Sequence, residues 1–441
     1  MTMDWVIYLA LLLGGLLFFM VLAAPVAMAL YMINLIGAYL FLGGTSGVVQ
    51  LSHNLVTGVG SFALIPIPLF VLMGEVLFHT GLAQQVVQVI ERLIHRIPGR
   101  LNIVAIVGGS MFATLSGSTV ANTAMLGSTL LPEMRRRGYR ESFAMGPIIG
   151  VGGIAMLIPP STLAVVLGSL GGISIGALLV GGIIPGLLLA AAYLGYVIFR
   201  GIVDPSIAPS TAEDVSTESL LSRLLDLVIK VMPLFGIFFC VVGGIIFGWA
   251  TPTESAALGA IASLVAAICY RCLTFKIFVK CLLETAKLSA MIMFIVSASM
   301  TFSQILSISG AGGGLMQYMV SLELSRIEMM FLFAIILLLL GCVMEQISMM
   351  LLTVPFFVPL AMGVGQDPIA LGIMMLVAIE VGLMSPPFGL LVYVMKGVAP
   401  DVPLMTIFKS VMPYMLMSIG LVVLIIFVPE VASWLPSISA N

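Results

Sequence analysis

Charge is what this chain has least of. Of its 441 residues, 8% are Asp, Glu, Lys or Arg and 61% are hydrophobic, with a mean hydropathy of +1.25. Soluble domains carry about 25% charged residues, so the composition excludes an ordinary water-soluble fold and places the chain in a bilayer. It also lacks any polar stretch long enough for a soluble domain; the longest, 201–222, has the length of a linker. Histidine is scarce. His53, His79 and His95 all fall in the first quarter, with no metal spacing and no HExxH. A hydrolase built on Leu115-Ser116-Gly117 would therefore lack its base. No Walker sequence is present, so the chain does not itself hydrolyse ATP, and nothing in it points to nucleic acid. The five cysteines are scattered, and Cys269-Tyr-Arg-Cys272 is a lone CxxC with no second pair, which reads as filler in membrane helices. No Lys or Arg precedes the first apolar run, which argues for a retained span from Trp5 to Leu22 and against a cleaved leader.

What is present is organised around Leu115-Ser116-Gly117-Ser118-Thr119-Val120-Ala121-Asn122. Apolar runs flank it, each shorter than the roughly 20 residues a membrane helix needs. Arg92, Arg96 and Arg100 precede this unit, and Arg135, Arg136, Arg137 and Arg140 follow it. Basic clusters favour the cytoplasmic face, so the chain enters and leaves on one side. The segment 101–135 therefore reads as a re-entrant hairpin with a polar tip at membrane depth, where irregular backbone is tolerated only if protein covers it or it lines a cavity.

Spans are expected at about 5–23, 25–43 and 63–83, with a polar segment, Val48 to Ser61, lying at the interface. A helix at about 141–169 should break at Pro159-Pro160, because proline removes a backbone donor and clashes with the preceding turn. A span at 173–200 and the linker 201–222 follow. The second half, 223–441, repeats the first, 1–200. It offers spans at about 223–248 and 250–270, an amphipathic stretch from Phe275 to Glu284, and a span at 287–309. A hairpin at about 327–363, a helix at 368–398 broken by Pro386-Pro387, and a last span at 402–428 complete it. Pro25/Pro252, Pro132/Pro359, Gly138/Gly365, Pro159/Pro386 and Pro160/Pro387 are all 227 residues apart, and five breakers in one register argue for duplication.

Charge gives the handedness of the repeat. Tracing outward from a first hairpin open to the cytoplasm puts both termini outside and the linker inside. Sixteen of the 17 basic residues then fall on the cytoplasmic side, with Arg326 the exception, and Trp5, Trp249 and Trp434 lie at the opposite interface. The expected fold is an all-α polytopic membrane protein of two inverted repeats, each with a re-entrant hairpin and a Pro-Pro-broken helix.

Several stretches then resemble a family. Leu72-Met73-Gly74-Glu75, Ser116-Gly117-Ser118, Ile158-Pro159-Pro160-Ser161, Gly182-Ile-Ile-Pro-Gly186, Thr251-Pro252-Thr253-Glu254 and Ser385-Pro386-Pro387-Phe388-Gly389 are similar, in order and spacing, to the large membrane subunit (DctM-like) of tripartite ATP-independent periplasmic (TRAP) transporters. The resemblance implies a sodium-coupled importer of organic acids in the inner membrane. It implies an elevator-type transport domain moving against a scaffold, a periplasmic substrate-binding protein and a small four-helix membrane subunit as partners, and no cofactor beyond coupling sodium ions. A single-component organic-anion symporter and an ion channel are the alternatives.

Cations need several oxygen ligands, which unwound carbonyls and hydroxyls supply. The candidate sodium ligands are Ser116, Gly117, Ser118, Asn122, Pro159 and Ser161 in the first half, and Glu345, Ser348 and Pro386 in the second. Ser118 and Glu345 lead, and they occupy equivalent positions 227 apart. Thr119, Thr162, Gln346 and Ser385 are the candidate substrate contacts. The family resemblance implies an Asp where Asn122 and Glu345 stand, and an uncharged polar residue at Glu380. Glu75, Glu254, Glu345 and Glu380 each need a reason to be present, since an intramembrane acid costs about 2.5–3.5 kcal/mol on insertion scales. Glu254 is expected either to have a functional role or to satisfy donors freed near Pro252, and Glu75 and Glu380 either to have a functional role or to form structural pairs, with Glu380 bearing on substrate choice.

Overall fold

A computed structural model describes residues 4–22, 24–82, 85, 89–91, 99–116, 118–209, 228–229, 231–342, 344–386 and 389–439, with residues 113–116 described by their backbone. Every regular element among them is helical. Seven helices among the described residues are long and apolar enough to cross a membrane, and a broken helix makes an eighth.

In the first half, α1 (Asp4–Val21), α2 (Val26–Phe41), α3 (Thr45–Val59) and α4 (Pro66–His79) precede a helical hairpin of α5 (Arg100–Ser116) and α6 (Thr119–Arg136). Next come α7 (Glu141–Gly150), α8 (Gly152–Leu157), α9 (Thr162–Gly171), α10 (Ile175–Gly181) and α11 (Ile183–Val203). The second half runs α12 (Met232–Ile246), α13 (Pro252–Cys269), α14 (Phe275–Ile308) and α15 (Ala311–Ser321). Its hairpin is α16 (Arg326–Gly341) and α17 (Gln346–Gly363), followed by α18 (Pro368–Met384), α19 (Leu390–Val398), α20 (Leu404–Phe427) and α21 (Glu430–Ser439).

Prolines set many of these starts. Pro66, Pro252 and Pro368 sit in the first turns of α4, α13 and α18, where a missing N–H costs nothing. Gly138 and Gly365 follow α6 and α17 with φ of 76° and 72°, a conformation that lets each chain turn sharply out of its helix. Helix bounds recur at the spacing of the breakers. Shifting α6 by 227 gives the bounds of α17, and shifting the α7–α8 run, 141–157, gives those of α18.

The halves interlock. The second arm of the first hairpin, α6, packs on α19, the far piece of the second broken helix; its counterpart α17 packs on α9. Around them, α14 packs on α2, α3 and α4, while α4 also packs on α13. The first broken helix bends by 46° between α7–α8 and α9.

Three features differ from the sequence expectation. The amphipathic stretch from Phe275 and the span after it are one continuous helix, the 34-residue α14. No breaker interrupts it, and Lys276, Lys280, Glu284 and Lys287 lie within its first four turns. Helices α15 and α21 were not expected. The polar segment after Val48 is helical, as expected, and belongs to α3, which packs on α14; a Cβ on Gly58 would meet Ser297 Cβ at 2.9 Å, and Asn54 donates to Gln304. Of the linker 201–222, the first residues continue α11 to Val203, and 210–222 lies outside the described residues.

Candidate functional site

Four helix starts meet the mid-chain breaks, and three are capped by a side chain named above. Ser118 caps α6, its hydroxyl accepting from the Ala121 amide at 3.2 Å. Ser161 caps α9 in the same way, accepting from Ala164 at 3.2 Å. Glu345 caps α17: one carboxylate oxygen accepts from the Ser348 amide at 3.1 Å and from its hydroxyl at 2.7 Å. Gly389 opens α19 with no side-chain cap. A capping oxygen satisfies one of the orphan amides at a helix start, so these residues hold the breaks in shape. Hydroxyls and carboxylates accept more than one bond, so a capping oxygen can serve a second partner as well.

Glu345 is exposed at its helix break and needs no buried counter-charge. Asn122 differs. It is fully buried one turn into α6, and neither its amide nitrogen nor its carbonyl oxygen has a hydrogen-bond partner. Thr123 Oγ1 beside it is likewise buried and unpartnered. An orphaned buried oxygen costs about 1–3 kcal/mol, and a cation held at the tip would recover that cost. The residue types at both tips therefore fit a cation. Of the other candidate ligands, Ser348 and Ser161 are buried, Pro159 and Pro386 line the two breaks, Gly117 lies outside the described residues, and Ser116 ends α5.

The substrate candidates come together across the halves. Gln346 Nε2, at the first turn of α17, donates to Thr119 Oγ1 at 3.3 Å and to Glu380 Oε2 at 3.0 Å. Thr119 and Gln346 are themselves 227 residues apart, so equivalent positions of the two hairpin tips touch each other. Thr162 is buried at the start of α9, and Ser385 Oγ donates to the Gly382 carbonyl at 2.8 Å. No hydrogen bond joins either of these two to the Thr119–Gln346 pair.

Among the acids, Glu254 proves to be a cap: it closes a reciprocal box with Thr251, its carboxylate taking the Thr251 amide at 2.7 Å and hydroxyl at 2.8 Å. Glu75 pairs with His79 at 3.1 Å. Glu380, for which a structural pair was one of two expectations, forms no ion pair among the described residues.

Sequence reasoning missed the contacts that only folding creates. A Cβ on Gly341 would lie 2.4 Å from Gly382 Cα, so α16 and α18 cross in backbone contact just before the second tip. Cys342, read as filler, lies 3.2 Å from Ser385 Oγ and donates to the Pro386 carbonyl at 3.2 Å, tying hairpin to broken helix. The run Gly341-Cys342 beside the tip was the available signal. A cavity of about 400 Å³ opens between α9, α14, α15 and α17, with Ser303, Ser307, Gly313 and Pro355 in its wall.

Residues 13–431 match the family model described as "Tripartite ATP-independent periplasmic transporter, DctM component". The chain is 32% identical to the C4-dicarboxylate TRAP transporter large permease protein DctM of Pseudomonas aeruginosa, covering 85% of this chain and 86% of that one. It is 30% identical to the sialic acid large permease SiaM of Vibrio cholerae, over 94% and 95% of the two chains. It is also 30% identical to the 2,3-diketo-L-gulonate large permease YiaN of Escherichia coli, over 97% and 98%. Its fold is similar to the crystal structure of the Alcanivorax borkumensis YdaH transporter, with a TM-score of 0.62 at 15% identity over 89% of this chain and 91% of that one. This multi-pass membrane chain belongs to the DctM family of tripartite ATP-independent periplasmic transporter components.

Proposed function

We propose that this chain imports a small organic acid together with sodium, taking its substrate from a periplasmic binding protein and working beside a small four-helix membrane subunit. The observation that carries this reading is the pairing of helix ends at each tip. The C-terminal carbonyls of α5 and α16 stop where the N-terminal amides of α6 and α17 begin. Carbonyl ends attract cations, and amide ends attract anions. One break can thus seat a sodium ion and a carboxylate side by side, each offsetting the other's charge.

In this reading Ser116, Gly117, Ser118, Asn122, Pro159 and Ser161 hold the first ion, and Glu345, Ser348 and Pro386 the second. Thr119, Thr162, Gln346 and Ser385 face the substrate. Organic-acid cargo is suggested by the named relatives, whose substrates include C4-dicarboxylate, sialic acid and diketogulonate. The two halves act as inverted copies, 1–200 and 223–441, joined by a cytoplasmic linker at 201–222, with both termini periplasmic in the inner membrane. Hairpins and broken helices move as an elevator against a frame that includes α14. The cavity between α14 and α17 is the seam along which they slide.

Reconstitution tests the proposal. Proteoliposomes holding this subunit and its small partner should accumulate organic acid only with an inward sodium gradient and with the cognate binding protein outside. Robust uptake of free acid without that protein would favour a single-component symporter, and single-channel currents would favour a channel.

A further inference from the structure

Glu380 is the one acid at the meeting of the hairpins for which the transport chemistry above has no use. It lies deep in α18 with no exposed surface. Oε2 accepts from Gln346 Nε2 at 3.0 Å, and Oε1 has no hydrogen-bond partner. The same Gln346 amide reaches Thr119 at 3.3 Å, so the carboxyl sits at the seam between the two tips. Helix α8 closes the remaining side. A Cβ on Gly152 would fall 2.4 Å from Oε1, so a side chain there would displace this carboxyl.

Among the described residues no charged side chain acts on it. Of the elements packed on α18, the helices α8, α9 and α10 contain no charged residue. Arg326 and Glu328 are in the first turn of α16, Lys396 in the last turn of α19, and Glu430 begins α21. Lys409 is in the second turn of α20, Asp367 caps α18 itself, and Glu345, capping α17, is held by Ser348. On α6, which brings Thr119, Glu133 and Arg135–Arg136 lie in the last turn. Tyr193 of α11 faces Gly153, 3.8 Å from a Cβ there, with its hydroxyl 2.7 Å from Ser418 Oγ; Arg200 is in the last turn of the same helix.

Three occupants could answer a buried carboxyl. A metal ion needs several oxygens, but Gln346 presents N–H here and the Thr119 oxygen already accepts from it. An anionic substrate would be repelled by a carboxylate and would compete for the same Gln346 donor. A proton needs no further ligand and removes the cost of an isolated buried charge. We propose that Glu380 is a proton-binding site: its carboxyl is neutral while the hairpin tips enclose it, and ionises when the seam opens, the proton leaving to water and the carboxylate remaining. Nothing in this depends on sodium coupling, and of the cargo proposed above only its negative charge is used.

Infrared difference spectroscopy on the purified full-length chain in liposomes tests this without substrate or partners. At neutral pH the protein should show a protonated-carboxyl C=O band that disappears at alkaline pH, is missing in Glu380→Gln and is unchanged in Glu345→Gln. Should Glu380→Gln fail to reconstitute, Glu380→Asp decides: a displaced band supports the assignment and an unmoved one refutes it. Absence of any Glu380-dependent band at neutral pH, or its persistence in Glu380→Gln, overturns the proposal.

Discussion

The two hairpin tips occupy the same place in the 227-residue register and solve the same problem with different chemistry. Each leaves a helix start with orphan amides, and each answers with the residue just before the helix. In the first half that residue is Ser118, and in the second it is Glu345. The neutral cap stands beside a buried, unsatisfied Asn122, whereas the charged cap is exposed and satisfied by Ser348. The surroundings differ as well. Gly341 and Gly382 let α16 and α18 touch before the second tip, while the equivalent positions in the first half are Thr114 and Ala155. The two halves thus share where the backbone breaks and differ in the side chains at the breaks.

If the halves are inverted, sidedness gives the largest, all-or-none effect. In right-side-out cells, a single cysteine at position 216 of a cysteine-free chain should resist impermeant thiol reagents, and one at position 437 should react. The opposite pattern would make the tracing wrong for both hairpins. The glycine contact comes next. Gly382→Ala places a methyl 2.5 Å from Gly341 Cα, so it should cost about 1–3 kcal/mol as an overpacked core does. Thermal unfolding in detergent would measure it, and no loss would mean that the helices separate freely. The caps are smaller still. Ser118→Ala and Ser161→Ala should each cost about 1 kcal/mol, the usual worth of an N-cap; the same unfolding assay, with sodium absent, separates this from any loss of ion binding.

The smallest effect lies outside the membrane-spanning segments. Asp401, in the turn before α20, is bonded by its own backbone amide and by Arg135 at 2.8 Å, which holds its carboxyl below the ordinary 3.8. A lowered folded value means the bridge stabilises fully above pH 3.8 and is lost as pH falls through that lowered value. Being exposed, it should be worth little: Asp401→Asn should leave the melting temperature at neutral pH nearly unchanged and remove only the acid-side dependence.

Most of this fold is legible in the sequence because breakers act locally. A proline opens α13 and α18, and a glycine lets the chain leave α6 and α17, so these ends follow from residue type. Pro132, Pro355 and Pro359, by contrast, lie inside α6 and α17 and do not break them as the sequence suggests. What stays hidden depends on contacts between distant segments. The continuity of α14 was masked by charges that a long helix carries near one end. The caps at Glu254 and Glu345 use carboxylates that, on sequence alone, suggest ligands as readily as structure. The Thr119–Gln346–Glu380 chain and the Cys342 contacts exist only once two hairpins meet, and no local pattern encodes them.

The central claim is that the capping residue of each tip is also a cation ligand, and Glu345 tests it most directly. Glu345→Gln keeps an oxygen for the Ser348 amide but removes the charge. Sodium titration of binding-protein-dependent uptake should then show a half-saturation raised about ten-fold, the equivalent of about 1.4 kcal/mol, with melting temperature and binding-protein docking retained. An unchanged half-saturation and rate would contradict the account and leave Glu345 as a helix cap alone.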